Sequence, residues 1–478
     1  MRMEIGKNRI GVHGMLPEMA NRHGLVTGAT GTGKTVTVQV LAEAFSERGV
    51  PVFLQDVKGD LTGMAQGGED APKLRERLQL LELGGVDFAP CPVAFWDVYG
   101  EKGHPVRTTV SDMGPLMLSR LLDLNEVQSG ILYTVFKLAD EMGMLLLDFK
   151  DLTAMIDMVL RESKELSVRY GNINRQSVGA IHRKLLVLEE EGADRFFGEP
   201  ALEIRDLMVQ DGRGRGMVNI LASSRLTSNP RLYSTFLLWL LSELHEELEE
   251  VGDLEKPRMV FFFDEAHLIF QGIPPYLLEK FEQVVKLIRS KGIGLYFITQ
   301  TPQDIPESIL GQLGNRIQHA LRAYTPKEKK AVAVAAESFR ENPAFRTVDA
   351  ISHLGVGEAL VSFLDEKGVP GMVERVHILP PKSKIGPAAP GTVEGVLAGS
   401  HLGRRYAQTV DRHSAYEELQ ARQARTGKEA AGEKQIPRPA TARGRETPWE
   451  RLVKSAASAI GSQVGRQLIR GILGSLKK

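Results

Sequence analysis

The stretch Leu25-Val26-Thr27-Gly28-Ala29-Thr30-Gly31-Thr32-Gly33-Lys34-Thr35 decides the fold, because apolar residues of a buried strand run into a glycine-rich loop and a helical pattern follows at once. Gly28, Gly33, Lys34 and Thr35 satisfy G-x-x-x-x-G-K-[ST], with Ala29, Thr30, Gly31 and Thr32 between them. The glycines let backbone N–H groups close on phosphate oxygens. Lys34 supplies a cation to the β and γ oxygens, and the Thr35 hydroxyl is a ligand for Mg2+. From Val36 to Arg48, Val38, Leu41, Ala42 and Phe45 recur at helical spacing, so the N-terminal end of a helix dipole points at the same phosphates. A plain glycine turn also fits so short a pattern, but a strand before it and a helix after it are the context of a nucleoside triphosphate site.

Working outward, the second acidic landmark is Met259-Val260-Phe261-Phe262-Phe263-Asp264-Glu265, five apolar residues delivering two carboxylates. This reads as a central parallel strand whose carboxyl end carries Asp264 for the Mg2+ shell and Glu265 as the general base that polarises water. A helix N-cap is the ordinary reading of such a pair, and the phosphate loop outweighs it. A helix at Phe281–Ser290 leads to the strand Ile293–Ile298 and then Thr299-Gln300-Thr301-Pro302, where the Gln300 amide can sense the γ-phosphate or orient water. Val52-Phe53-Leu54 is another buried strand, followed by Gln55-Asp56-Val57-Lys58-Gly59-Asp60. Asp56 and Asp60 there read equally as contacts to the Mg2+ shell or as caps of a turn.

The rest of the order is that of an α/β protein with an insertion. Residues 1–24 form a short polar lead-in to the first core strand. Ala89–Trp96 is an extended segment placed at a sheet edge by Pro90 and Pro92. From 112 to 208 the apolar residues fall at three- and four-residue spacing, which predicts a helical subdomain lodged between strands. The loop Asp211–Gly216 carries Arg213 and Arg215, either as a phosphate contact or as a plain surface turn. A strand over Met217–Leu221, a long helix over Arg231–Glu250, a short strand from Asn315 to Arg322 and a helix over 326–337 complete the pattern. The predicted division is 1–111 and 209–380 for the two parts of the core, 112–208 for the insert, 381–448 for a low-complexity linker with a short helix near 403–425, and 449–478 for an amphipathic C-terminal helix.

The chain has 478 residues, 42% hydrophobic and 25% charged, enough for one large core or two smaller ones. Its single cysteine, Cys91, excludes an intrachain disulfide framework. No signal-peptide core and no run near the roughly 18–20 apolar residues of a spanning helix are present, which reads as cytoplasmic. The net charge is zero, yet residues from 401 onward carry 16 Lys and Arg against 7 Asp and Glu, and the first 400 carry 44 against 53. A basic tail on an acidic body suits an anionic partner, docking between subunits, or simple solvation. In the tail, Leu452, Ile460, Val464, Leu468, Ile469, Ile472 and Leu473 make an apolar face, read first as a docking helix and second as a membrane-surface helix.

Together, Gly28–Thr35, Gln55–Asp60, Phe261-Phe262-Phe263-Asp264-Glu265-Ala266-His267 and Phe297-Ile298-Thr299-Gln300-Thr301-Pro302 resemble the HerA/FtsK superfamily of RecA-fold motors. The lead-in Met19-Ala20-Asn21-Arg22-His23 and the small-residue tail resemble the YjgR-type HerA-like ATPases more closely. The resemblance implies a RecA-like P-loop fold with a mainly parallel sheet, ATP and Mg2+ as ligands, Lys34 and Thr35 on phosphate and metal, Asp264 on metal, Glu265 as base and Gln300 as sensor. It implies a homo-oligomeric, usually hexameric ring in which an arginine acts on the neighbour's site. Arg289 fits that role first and Arg316 second, since charge developing on the γ-phosphate calls for a guanidinium. The chain departs from HerA proper in showing no N-terminal barrel before Gly28 and in its large helical insert. Asp264-Glu265-Ala266-His267 also spells a DEAH box, but no second RecA-like core follows.

Two functions are therefore open: an ATP hydrolase moving along double-stranded DNA, and an ATPase that remodels or scaffolds protein partners. The hydrolase rests on motifs, the DNA on analogy, and the acidic body leans toward protein.

Overall fold

A computed structural model describes residues 2–273 and 275–432, with side chains to residue 425. The described residues divide into two compact units, 2–104 with 203–403, and 105–202 with 404–432. The predicted helix at 449–478 lies outside the described residues.

The first unit is built on one sheet. Its strands are β1 (Met3–Lys7), β2 (Val12–Met15), β3 (Gly24–Thr27), β4 (Val52–Asp56), β5 (Val93–Asp97), β6 (His104–Pro105), β7 (Val218–Ala222), β8 (Met259–Phe263), β9 (Ile293–Thr299), β10 (Asn315–Gln318), β11 (Glu358–Ser362) and β12 (Glu374–Ile378). Their spatial order is β2-β1-β12-β11-β10-β3-β9-β8-β4-β7-β5-β6. From β10 to β5 the neighbours are parallel, and from β10 to β2 they are antiparallel.

The central strand β8 is apolar from end to end because both faces of the sheet are covered there. All of Met259–Phe263 is buried. Side chains alternate between the faces. Phe262 stacks on Tyr296 at 5.0 Å and meets Phe45 of the Lys34–Glu47 helix at 6.3 Å. Phe261 and Phe263 stand on the other face, with Phe53 at 5.2 Å and Phe297 at 5.6 Å, where Phe281 of the Pro275–Ile288 helix closes over Phe297. Each ring so buried contributes about 1.5–3 kcal/mol. Because β10, β3, β9, β8 and β4 are adjacent and parallel, the loops that follow them all leave from one edge of the sheet, the edge on which open α/β sheets bind ligands.

Several elements differ from the sequence expectation. The start of the lead-in is a β-hairpin, β1 and β2, paired through β12 at the far end of the sheet. Pro90 and Pro92 precede β5, which lies one strand in from the edge, between β7 and the two-residue β6, rather than at the edge itself. The pattern assigns no strand after Arg322, yet β11 and β12 are there. β12 alternates buried Val376 and Ile378 with the more exposed Glu374, Arg375 and His377, and so lacks the continuous apolar signature of the central strands. The stretch 381–448, read as linker, is packed in its early part. Glu43 of the Lys34–Glu47 helix accepts from Lys382 N and Ser383 N, both at 2.8 Å, and Gln39 Nε2 donates to Ser383 Oγ at 2.7 Å. These bonds are made by backbone and short polar groups, which composition reads as solvated.

The second unit is helical: Val110–Leu121, Glu126–Glu141, Phe149–Arg161, Ser163–Tyr170 and Arg175–Glu190. Asn125 with Gln128 and Asp148 with Asp151 form capping boxes that satisfy the orphan N–H groups of two helix starts. Asp151 also receives the C-terminal segment. Its Oδ2 accepts from Leu147 N at 2.9 Å, and its Oδ1 from the Ser414 hydroxyl at 2.5 Å and Tyr416 N at 2.9 Å. The helix that follows, Ala415–Gly432, therefore belongs to this unit and not to a linker.

Candidate nucleotide site

The glycine-rich loop after β3 is pinned by its neighbours. Gly28 N donates to Gln300 O at 3.2 Å, Ala29 N to Ala320 O at 2.8 Å, and Gly357 N to Thr32 O at 2.9 Å. Gly28 holds φ +151°, and a Cβ there would lie 2.5 Å from His319 Cβ, so nothing larger than glycine fits without moving the loop. Lys34 Nζ rests on the loop's own carbonyls, Gly28 O at 2.6 Å and Ala29 O at 3.2 Å. Burial pulls the ammonium below its usual range, and the charges of Glu265 and Asp264 pull it back. Thr30, Gly31 and Thr35 are exposed at the mouth.

Asp264 and Glu265 leave β8 on the same edge. Burial, with the adjacent Glu265 charge, raises Asp264 to about 6. Its Oδ1 accepts from Glu265 N at 2.9 Å. Glu265 sits at φ +47°, a left-handed backbone that costs a non-glycine residue about 1 kcal/mol or more and concentrates at functional sites. Its Oε2 has no hydrogen-bond partner among the described residues; His267 Nδ1 stands 3.5 Å away. Gln300 is exposed just past β9, and the turn beyond it is fixed by Asp304 Oδ2, which accepts from Thr299 Oγ1 at 2.6 Å and Thr301 N at 2.9 Å. Lys34, Asp264, Glu265 and Gln300 are thus gathered at adjacent strand ends.

The other candidates differ from this group in place or in partners. Asp56 takes the turn-cap alternative: its Oδ1 accepts from Gly59 N at 2.7 Å and its Oδ2 from Leu61 N at 3.0 Å, which occupies both oxygens within its own loop. Arg316 spends its guanidinium inside its subunit, on Leu313 O, Ser338 O and Leu310 O, each at 3.2 Å. That is a brace beneath β10 and not a group presented to a neighbour. Arg289 lies before β9 at the opposite edge of the sheet, roughly 20 Å of strand away from Gln300. It cannot reach its own phosphate loop. Arg215 pairs with Asp211 and donates to Pro90 O at 2.9 Å, which is the surface-turn reading.

Residues 5–478 match the family model described as helicase HerA-like C-terminal. The chain belongs to this family. Among curated relatives of this HerA-like chain, the DNA double-strand break repair helicase HerA of Saccharolobus solfataricus is 24% identical over 354 residues, 71% of this chain and 61% of that protein. The probable helicase MJECL08 of Methanocaldococcus jannaschii is 22% identical over 362 residues, 72% and 64%. The chain thus matches less than two thirds of the length of either relative. Among solved structures it is similar to the bacterial conjugative coupling protein TrwBdeltaN70 in its trigonal form in complex with sulphate, with a TM-score of 0.51, 15% identity, and coverage of 81% of this chain and 93% of that one. At that identity the likeness is one of fold: a RecA-like P-loop α/β architecture.

In this HerA-like site the donors fit Mg2+. A hydroxyl at Thr35 and a carboxylate at Asp264 are hard oxygen ligands, and a carboxylate held as high as about 6 is one that a cation returns to the ionised state. Three contributors go beyond the candidate site residues: His319 carries no motif signal, and Lys58 and Gln55 lie in the Gln55–Asp60 stretch without an assigned role. His319 supports the loop, with its Nδ1 at 3.0 Å from Glu358 O and its Nε2 at 2.8 Å from Thr37 Oγ1. A carbonyl only accepts, so Nδ1 carries the proton, Nε2 accepts from the Thr37 hydroxyl, and burial holds the ring neutral by lowering it to about 4. Lys58 is exposed on the loop after β4, and its charge acts on both Asp264 and Lys34. Gln55 is buried beside them.

Proposed function

We propose that this chain is an ATP hydrolase of the HerA type, closest to the YjgR-type members, that assembles as a homo-oligomeric, hexameric ring and couples ATP turnover to movement along double-stranded DNA. The observation that carries the hydrolase reading is the convergence of Lys34, Asp264, Glu265 and Gln300 at adjacent strand ends, in a chain of the HerA-like family. Lys34 and the loop N–H groups take the phosphates, and Thr35 and Asp264 hold Mg2+, which supplies charge neutralisation to the β and γ oxygens. Glu265 accepts a proton from the attacking water, and Gln300 orients that water. The low Arg316 availability leaves Arg289 as the guanidinium acting on a neighbour's site. DNA enters by likeness to relatives named as DNA repair helicases. The second reading, a protein-remodelling ATPase, is favoured by Val127, Val168, Leu186 and Val187, which stand exposed on the helical unit.

The test is steady-state ATP hydrolysis with and without linear double-stranded DNA at low and moderate salt. Turnover stimulated by DNA, weakening with salt as counterion release requires, and absent in Lys34→Ala supports the motor. Turnover indifferent to DNA overturns it in favour of a protein partner. Glu265→Gln is expected to bind ATP without hydrolysing it. Arg289→Ala is expected to be inactive alone and to regain turnover when mixed with Lys34→Ala subunits; full activity of Arg289→Ala alone removes that arginine from the mechanism.

A further inference from the structure

The buried face beneath the acidic pair holds a polar group that the mechanism above does not use. Gln55, the fourth residue of β4, is 1% exposed. Its Oε1 accepts from the Tyr233 hydroxyl at 2.6 Å, while its Nε2 has no hydrogen-bond partner among the described residues. Tyr233 is fully buried in the Pro230–Glu247 helix, and burial holds its hydroxyl protonated, with the Asp264 and Glu265 charges acting in the same direction. In this arrangement the amide oxygen faces the phenol, and Nε2 is left without an acceptor among the described residues. A buried amide N–H without an acceptor is an expensive arrangement and rare in folded proteins.

Register places this donor beside the reacting edge. β4 and β8 pair with Leu54 opposite Phe262, so Gln55 is level with Phe263, the residue before Asp264. Tyr233, which holds Gln55, is acted on by the Glu265 charge, and Glu265 Oε2 is the complementary orphan, an acceptor with no hydrogen-bond donor among the described residues, on a residue held at φ +47°. One unfilled donor and one unfilled acceptor thus flank the end of β8. The groups bearing on Glu265 are Asp264, Lys34, Tyr233 and His267, the last at 3.5 Å; none of them gives its Oε2 a hydrogen bond.

We infer that Gln55 is a positioning residue for hydrolysis: its amide, oriented by Tyr233, donates to the Glu265 carboxylate in the competent state, leaving the other carboxylate oxygen to accept from water. The inference rests on the hydrolase reading above. It assigns to the first half of the chain a residue that acts through the base and touches neither phosphate nor metal.

The test compares Gln55→Met, which keeps the volume and removes the amide, with Tyr233→Phe, which frees the amide to rotate, and with the double variant. Each is assayed for turnover, KM for ATP and thermal unfolding. For Gln55→Met, kcat is expected to fall about tenfold with KM little changed, the loss of one orienting hydrogen bond. For Tyr233→Phe the fall is expected to be smaller. The double variant removes both partners of a buried pair, so its unfolding temperature is expected to equal or exceed that of the wild type while kcat stays low. Wild-type kcat in a folded Gln55→Met, or a loss of ATP affinity in step with kcat, overturns the inference. An inactive wild type that still binds ATP overturns instead the hydrolase reading on which it stands.

Discussion

Acidification from pH 7.5 to pH 5 is expected to loosen the phosphate loop through His319, and the effect can be sized. In the native state both ring nitrogens are engaged and burial lowers the ring from 6.5 to about 4. The unfolded chain binds a proton below about 6.5 and the native chain only near 4, so between those values the unfolded state binds more protons and stability rises with pH. The contribution is complete above the unfolded value and is lost as pH falls through the folded one. Integrated from pH 7.5 to pH 5, one such histidine costs about 2 kcal/mol. His23 behaves alike: its Nδ1 accepts from Leu295 N, its Nε2 meets Val285 O, and it too is lowered to about 4. His319→Gln retains a donor and an acceptor but does not titrate. Thermal unfolding followed by circular dichroism at the two pH values is expected to show a drop smaller by about 4 °C in the variant, at about 2 °C per kcal/mol for a unit of this size. An equal drop in His319→Gln and wild type refutes the reasoning, because the ring would then be protonated natively or solvated.

Gly28→Ala is expected to cost about 2–3 kcal/mol, since its Cβ meets a His319 side chain held by two hydrogen bonds. Gly31→Ala, at φ +77° with nothing within 4 Å, is expected to cost about 1 kcal/mol; equal shifts in denaturant midpoint refute the difference. Asp56→Ala strips the acceptor from Gly59 N and Leu61 N and is expected to lower stability by about 3 kcal/mol, with Mg2+ dependence of nucleotide binding preserved; an unchanged midpoint with lost Mg2+ dependence restores the metal-ligand reading. Asp151→Ala removes the acceptor shared by Leu147, Ser414 and Tyr416 and is expected to expose residues 404–425 to limited proteolysis; cleavage no faster than in wild type refutes the docking.

The candidate nucleotide site is legible where chemistry needs a fixed local spacing. A phosphate loop and a strand ending in two acids are written over fewer than ten residues each, so Lys34, Thr35, Asp264 and Glu265 can be picked from one sequence. Asp56, read evenly as metal contact or turn cap, and Arg316, the second choice for a trans-acting arginine, share one feature: residue type names a capability, while the partners that consume it come from elsewhere. Two amides of a turn take Asp56, and three carbonyls take Arg316. His319 carries no pattern at all, and the stretch Gln55–Asp60 carries a resemblance without naming a role for Gln55 or Lys58, because such roles come from contacts across the sheet, 282 residues apart in the case of His319 and Thr37.

By itself the sequence determined the class of fold, through apolar strands that must be covered on both faces and glycines that must approach phosphate, since both constraints act on neighbouring residues. Only the tertiary structure decided the order of the strands, the place of the β1–β2 hairpin at the far end of the sheet, the capture of residues 382–384 by Gln39 and Glu43, and the docking of Ser414 and Tyr416 on Asp151. Those outcomes depend on backbone and polar groups that find partners hundreds of residues away, and a hydrogen bond leaves no periodicity in the chain that makes it.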